Sequence, residues 1–275
     1  DVIGRFVQGY LAGETPNPCI DCNKHIKFSA LLRRAQLMGC THVATGHYAR
    51  IVRGANGRML LQTGLDAGKD QSYMLYGMTQ RELAHTLFPL GALTKAEVRA
   101  LALENGFGNA RKRDSQDICF VPDGDYVGFM ERYTGKYYPD GDFIYLDGRV
   151  VGRHRGAVRY TCGQRKGLGL ALGAPVYVCG KDMEKNTVTV GPESALFTTT
   201  LVAGDFNWIS IPALTGPMHI KAKARYRQTE QPATVRPLDN GLVQVVFDEP
   251  QRAIARGQAV VLYDGDTVVG GGTIL

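Results

Sequence analysis

The 275-residue sequence predicts three parts in series: the C-terminal part of a parallel α/β domain, a small mixed domain and a C-terminal β-barrel. Three observations predict this. Helical and strand patterns alternate over residues 1–124, as expected for parallel strands joined by crossovers. From residue 125 hairpin signals take over, at Asp140-Gly141 and Asp147-Gly148. From 196 to 275 nearly every segment has strand patterning with regularly spaced turns, the mark of a small barrel. The domains are therefore placed at 1–124, 125–195 and 196–275.

The elements follow in order. Ile26 to Met38 carries apolar residues at helical spacing and stops at Gly39, a good helix terminator. THVATGHY reads as a short strand ending near Gly46 and His47. Arg58–Gln62 and Gln71–Tyr76 bracket a polar loop, GLDAGKDQ. Thr94, three residues before Glu97, opens a capped helix that closes at Gly106. In the middle part GQRKGLGLALGAP leads into the strands PVYVCG and NTVTVG. In the last part HIKAKARYR, ATVRPL, LVQVVFD and QAVVLYDGDTVVGGGTIL read as strands, with turns at Asn240-Gly241 and Asp264-Gly265.

Composition narrows the function. Hydrophobic residues make up 44% and charged residues 21%, which excludes a disordered or collagen-like chain. No run of 18 apolar residues and no signal-peptide pattern occur, so a cytoplasmic protein without a membrane partner is expected. Six cysteines are too few for a disulfide scaffold, so cysteines in polar loops read as reactive or metal-binding. The net charge is +6, and it is unevenly spread. Between Asp147 and Asp182 there is no acidic residue, whereas Arg149, Arg153, Arg155, Arg159, Arg165, Lys166 and Lys181 fall in that window. Lys221, Lys223, Arg225 and Arg227 alternate, which predicts four cations on one face of one strand. Both features suit a phosphate backbone, and a solvated surface suits them too.

Cys19 and Cys22 form a C-x-x-C in a proline-punctuated loop ahead of a helix, where the helix N-terminus favours thiolate. Zinc is one alternative, with His25 as a third ligand, and a thioredoxin-like redox motif is another. Cys119 lies beside cations at 111–113 and reads as a second reactive thiol. Cys40, Cys162 and Cys179 read as packing residues.

TPNPCIDCNKHIKF, ATGHYAR, GKDQSYML, KRDSQDICF, YTCGQRKGLG, ARYRQ and RGQAVVLYDGDTVVGGGTI, in this order, resemble the tRNA-specific 2-thiouridylases. The resemblance implies an ATP-pyrophosphatase (PP-loop) domain, a central tRNA-binding domain and a barrel. It also implies ATP-dependent replacement of the C2 oxygen of the wobble uridine by sulfur in glutamate, glutamine and lysine tRNAs. Cys119 is similar to the cysteine that receives a persulfide, and Cys22 to the one that then attacks it, leaving a Cys22–Cys119 disulfide. Gly46 resembles a nucleotide-contacting glycine, and Asn17, Pro18 and Cys19 resemble the loop that holds the target base. His47, Lys69, Asp70, Gln71, Arg225, Tyr226 and Gln258 match tRNA-contacting positions. The implied co-substrate is ATP, with Mg2+, and the implied partners are tRNA and a persulfide donor protein; no metal site and no tightly bound cofactor are expected.

Two departures stand out. Position 19 is Cys where some members have Asp, which removes that residue as an acid–base group. The phosphate-binding SGGxDSS loop would lie ahead of Asp1, so the chain reads as a truncated enzyme, inactive in adenylation. An RNA-binding remnant and a zinc or redox C-x-x-C protein are the competing readings.

Overall fold

The computed structural model describes residues 2–112 and 118–275. Helix α1 (Val2–Leu11) opens the chain. A continuous helical rod follows, made of Pro18–Asp21, a wider-wound π segment Cys22–Leu31, and Leu32–Leu37. The rod therefore begins eight residues earlier than the apolar periodicity predicts. Asn17 starts it by accepting the Cys19 amide (3.1 Å) on its side chain, and Pro18 sits at the first helical position. The C-x-x-C is thus in the first turn of a helix, not in a loop before one.

Strand β1 (Val43–Ala44) pairs in parallel with β4 (Thr86–Leu87), and this short pair is the parallel sheet of the N-terminal part. Between them, β2 (Ala49–Arg53) and β3 (Met59–Thr63) form a hairpin that leaves that sheet and joins the barrel. Helix α2 (Lys95–Glu104) has the predicted capping box, with Glu97 accepting from the Thr94 amide at 2.7 Å.

The middle part holds helix α3 (Tyr126–Thr134) and a four-stranded sheet. Its strands β5 (Gly141–Tyr145), β6 (Val150–His154), β7 (Tyr177–Asp182) and β8 (Thr187–Gly191) are ordered β6-β5-β8-β7. Asp147-Gly148 makes the predicted β5–β6 turn. Asp140-Gly141 does not turn: Gly141 begins β5, opposite His154.

The last part is a closed barrel of six strands: β9 (Phe197–Trp208), β10 (Met218–Lys223), β11 (Gln231–Pro237), β12 (Val243–Arg252), β13 (Ala259–Asp264) and β14 (Thr267–Ile274). They run in the order β13-β10-β11-β12-β9-β14, and β13 pairs β14 to close the ring. Strand period explains its two cores. Val260 and Leu262 of β13 point inward with Ala222, Val245 and Phe247. Ala259, Val261 and Tyr263 point outward and join Phe28, Leu61, Tyr73 and Leu75 of the N-terminal part. The N-terminal part and the barrel therefore share one buried core. A third cluster joins Phe6 and Tyr10 of α1 to Val127, Met130 and Val158 of the middle part.

The four-cation strand is corrected. β10 ends at Lys223, so Arg225 and Arg227 lie in the following turn and the alternation covers only Lys221 and Lys223. Lys223 is neutralised by Glu230 (2.8 Å) and lies over the Tyr263 ring. Cys40 is exposed beyond the rod, not packed.

Candidate active site

The rod's first turn is anchored from the barrel. Thr15 donates its amide to the Arg256 carbonyl (2.8 Å), and its own carbonyl accepts the Gln258 side-chain amide. Between those two contacts Gly257 has φ +81°, and a β-carbon there would stand 2.7 Å from Glu14 Cβ and 3.2 Å from the Thr15 nitrogen. Glycine is required twice over, by conformation and by closeness of backbones. Asn17 adds a contact from its amide to the Met74 sulfur (3.3 Å), and buried Asn23 donates to the Met74 carbonyl (3.0 Å).

On this frame the thiols come together. Cys119 and Cys22 are both near enough that their charges raise the Cys19 pKa, after the larger effect of desolvation; the Lys27 ammonium opposes them. The expectation of a helix-activated thiolate is therefore reversed for Cys19, whose pKa is pushed up rather than down. Cys22 is half-buried, Cys119 is exposed, and all six cysteines are free thiols. His25 is turned elsewhere, toward Asp21 (3.8 Å). Among the described residues no three His, Cys, Asp or Glu side chains are grouped to hold a metal ion.

Lys27, which sequence reasoning passed over, links the thiols to His47. Its ammonium donates to His47 Nε2 (3.5 Å), so the ring proton is on Nδ1 and donates to Thr45 Oγ1 (2.8 Å). His47 is buried against Phe28 and Phe88, each with ring centroids 5.7 Å away. Burial first, and the Lys27 charge second, pull its pKa down from 6.5 to about 4. The sign follows from proton uptake: the unfolded chain protonates at a higher pH than the folded one. Stability from neutral His47 is complete above pH 6.5 and is lost as pH falls towards about 4. The window is worth about 3 kcal/mol. Replacing His47 by Gln should flatten the pH dependence of the denaturant midpoint in that window; an unchanged slope would contradict the assignment.

The GLDAGKDQ loop is organised by two of the predicted tRNA contacts. Asp70 accepts from the Gly64 amide (2.9 Å), the Ser72 amide (3.1 Å) and the Ser72 hydroxyl (2.7 Å). Gln71 accepts from the Tyr48 amide (3.0 Å). Lys69 is half-buried in the same loop. Tyr226, from the barrel turn, donates to the Asp70 carbonyl (3.0 Å) and feels the Cys19 charge, which places it beside the thiols. Arg225 points the other way, donating to the Ala253 carbonyl. Gly46 follows β1, exposed at the carboxyl end of the parallel pair, with only Leu90 near a virtual β-carbon (3.4 Å).

The basic window is partly neutralised. Arg149, Arg153 and Arg159 pair with Asp147 (2.8 Å), Asp142 (3.0 Å) and Glu131 (3.1 Å). Arg155, Arg165 and Lys166 are exposed and make no ion pair among the described residues. Arg155 lines an open cavity of about 470 Å3 with Arg153, Arg159, Tyr160 and Gln164.

Comparison with known proteins then gives the decisive observation. Relatives named tRNA-specific 2-thiouridylase MnmA align over essentially the whole chain. That of Heliobacterium modesticaldum is 51% identical over 278 residues, covering 100% of this chain and 72% of the relative. That of Moorella thermoacetica is 52% identical over 275 residues, covering 100% and 77%. That of Acetivibrio thermocellus is 51% identical over 274 residues, covering 99% and 76%. This chain belongs to the tRNA-specific 2-thiouridylase family. Three family models match in series: a tRNA methyl transferase HUP domain at 1–123, a PRC-barrel domain at 127–192 and an aminomethyltransferase beta-barrel domain at 198–274. In this 2-thiouridylase family member the α/β, mixed and barrel parts of the structure coincide with those three matches, and the fold class expected from sequence holds.

Proposed function

We propose that the protein takes part in ATP-dependent transfer of persulfide sulfur to C2 of the wobble uridine of lysine, glutamate and glutamine tRNAs. The observation that carries the proposal is the convergence of Cys19, Cys22 and Cys119 at a helix start held in place by the barrel. The named activity of the relatives supports it. An RNA-binding remnant would have no need of grouped free thiols.

The chemistry asks for two thiols in sequence. A uracil carbonyl oxygen is a poor leaving group, so ATP adenylates it, releasing pyrophosphate, and AMP becomes the leaving group. The terminal sulfur of a Cys119 persulfide attacks C2 and AMP departs. The Cys22 thiolate then attacks the Cys119 sulfur and breaks its bond to the transferred sulfur, which stays on C2. A Cys22–Cys119 disulfide remains, to be reduced before the next cycle. The exposed position of Cys119 suits loading by a persulfide donor protein. Cys19, whose pKa is pushed up, is a contact for the base, not the nucleophile. Gly46, at the carboxyl end of the parallel pair, is assigned to the nucleotide. Mg2+ is assigned to the nucleotide phosphates and not to a protein site. No helix of the described residues is long and apolar enough to cross a membrane, and we place the reaction in the cytoplasm with tRNA.

The base must leave its stack to reach the thiols. Asn17, Pro18 and Cys19 would receive it, with Tyr226 beside them. In this arrangement Asp70, Gln71, His47 and Gln258 fix the walls, whereas Arg155, Arg165 and Lys166 meet phosphates. Replacing Arg165 and Lys166 together by Ala should weaken tRNA binding and lower the salt slope by about 2, near one unit per lost phosphate contact. An unchanged slope would remove that surface from the interface. The reaction itself is tested by supplying the intact gene, including any coding sequence ahead of Asp1, to cells without wobble thiolation and measuring nucleosides by mass spectrometry. Absence of 2-thiouridine with a folded, expressed protein would overturn the proposal.

A further inference from the structure

Away from the grouped thiols, a second pair of cysteines meets where the middle sheet touches the barrel. Gly163 donates its amide to the Val178 carbonyl (2.8 Å), and the Val178 amide donates to the Gln164 carbonyl (2.9 Å). Two residues thus oppose one in an antiparallel pairing, which puts Cys162 across from Cys179. The Cys162 thiol donates to the Cys179 carbonyl at 3.9 Å, which brings it to the Cys179 backbone. Cys179 is the extra residue of a bulge against β8, its thiol donating to the Tyr177 carbonyl at 3.4 Å, so closure needs a rotation of the Cys179 side chain. Opposed residues in antiparallel pairs have Cα atoms about 4.5–5.5 Å apart. A disulfide spans about 4.4–6.8 Å. Both cysteines are half-buried against Tyr177, Leu196 and Ala253, so neither is sealed from small reagents.

The two thiols are not equivalent. Lys181, Arg225 and Arg252 all face Cys162 and favour its thiolate, opposing the larger effect of burial. The Lys181 ammonium nitrogen is itself buried, with no hydrogen-bond partner among the described residues. Burial brings its pKa down to about 8, which Cys162 partly opposes. Cys179 has burial and, second, the Cys162 charge against ionisation, and among the described residues no cation offsets them. The three cations stand on the Cys162 side of the pair, and Cys162 is taken as the attacking member and Cys179 as the resolving one.

We propose that Cys162 and Cys179 form a redox-responsive dithiol that closes into a cross-strand disulfide at the junction of the middle sheet with the barrel. The oxidant is a low-molecular-weight disulfide. Cys162 loses its proton to solvent, and its thiolate attacks one sulfur of the oxidant, forming a mixed disulfide and expelling one thiolate, which takes up a proton. Cys179 then gives up its proton and attacks the Cys162 sulfur, expelling the second small thiol. Two protein thiols are oxidised and one small disulfide is reduced to two thiols. The new bond ties the segment carrying Gly163 to β7. A β-carbon on Gly163 would lie 2.8 Å from Ala253 of the barrel, so oxidation stiffens a point where the two parts touch.

The main readout uses the whole, unsubstituted chain, so it depends neither on a variant folding nor on the thiolation reading; two serine variants then assign the roles. The protein is incubated with oxidised glutathione, blocked with N-ethylmaleimide, digested without reductant and mapped by mass spectrometry. A peptide pair joined through Cys162 and Cys179, lost on reduction and unaffected by Cys22→Ser with Cys119→Ser, is the expected result. In Cys179→Ser the expected product is a glutathione adduct trapped on Cys162. Equal blocking of Cys162 and Cys179 before and after oxidation, or their pairing with other cysteines instead, would overturn the proposal. So would an unmodified Cys162 in Cys179→Ser.

Discussion

Cells whose only copy of the gene carries Cys119→Ser are expected to contain no 2-thiouridine, and the same holds for Cys22→Ser. Each loss should exceed about 10³-fold, because a group that forms or breaks the reacting bond has no substitute. The two failures differ in kind. A serine at 119 cannot carry a persulfide, so the loaded enzyme never forms. A serine at 22 leaves loading and attack on C2 intact but removes the thiolate that frees the sulfur, so Cys119 should accumulate as a disulfide-linked adduct joined through the transferred sulfur to the tRNA. Cys19→Ser should keep most of its thiolation, since desolvation of its sulfur first and the neighbouring sulfur charges second push its thiol pKa up, away from a nucleophile's role. Nucleoside mass spectrometry reads the activity, and intact-protein mass with alkylation reads the state of Cys119. Full thiolation in either serine variant would refute the relay.

Gly257→Val should be nearly as damaging although it touches no sulfur. Valine is a poor fit to φ +81°, and its β-carbon would press on Glu14 and the Thr15 nitrogen. Strain and clash together should cost about 2–4 kcal/mol. The segment must move to relieve this, and it is the segment that leads into Asn17 and Cys19. A misplacement of about 1 Å at a reacting group costs on the order of 10²-fold in rate. Thiolation should therefore fall far more than the amount of folded protein, measured by thermal melting and circular dichroism. Arg256→Ala, an exposed neighbour whose contribution is its backbone carbonyl, should leave both nearly unchanged. Equal effects from the two substitutions would show that the anchor does not set the site.

Much of this was legible in the sequence, for physical reasons that can be named. Capping at Thr94 and Glu97, and the turns at Asn240-Gly241 and Asp264-Gly265, depend on adjacent residues, and the structure has all three. The C-x-x-C at a helix N-terminus marks Cys22, and polar, cationic surroundings mark Cys119, as reactive thiols, a reading the serine variants above test. What failed was extrapolation of a period beyond its element. Lys221 and Lys223 alternate in β10, but the turn after Lys223 sends Arg225 towards Ala253 and Tyr226 towards Asp70. The start of the rod was missed because Asn17 and Pro18 begin it by capping, ahead of any apolar repeat. The Lys27–His47 pair was invisible because it joins residues 20 apart across the rod and a strand end. A lysine in an otherwise apolar IKF stretch was the one signal present.

The β2–β3 hairpin carries a practical message about dissecting the molecule. It belongs to the N-terminal part by sequence and to the barrel sheet by pairing, through Thr267 opposite Gln62 and the Arg50–Asp266 ion pair (2.6 Å). Cutting the chain at its apparent domain borders would uncover the outward face of β13 and strip the hairpin from β14. A freed barrel would then present an apolar face and an unpaired strand edge to its own copies, which invites aggregation. The barrel is thus a load-sharing wall for the segment that carries the grouped thiols, and an isolated N-terminal half should be judged by whether that wall has been replaced.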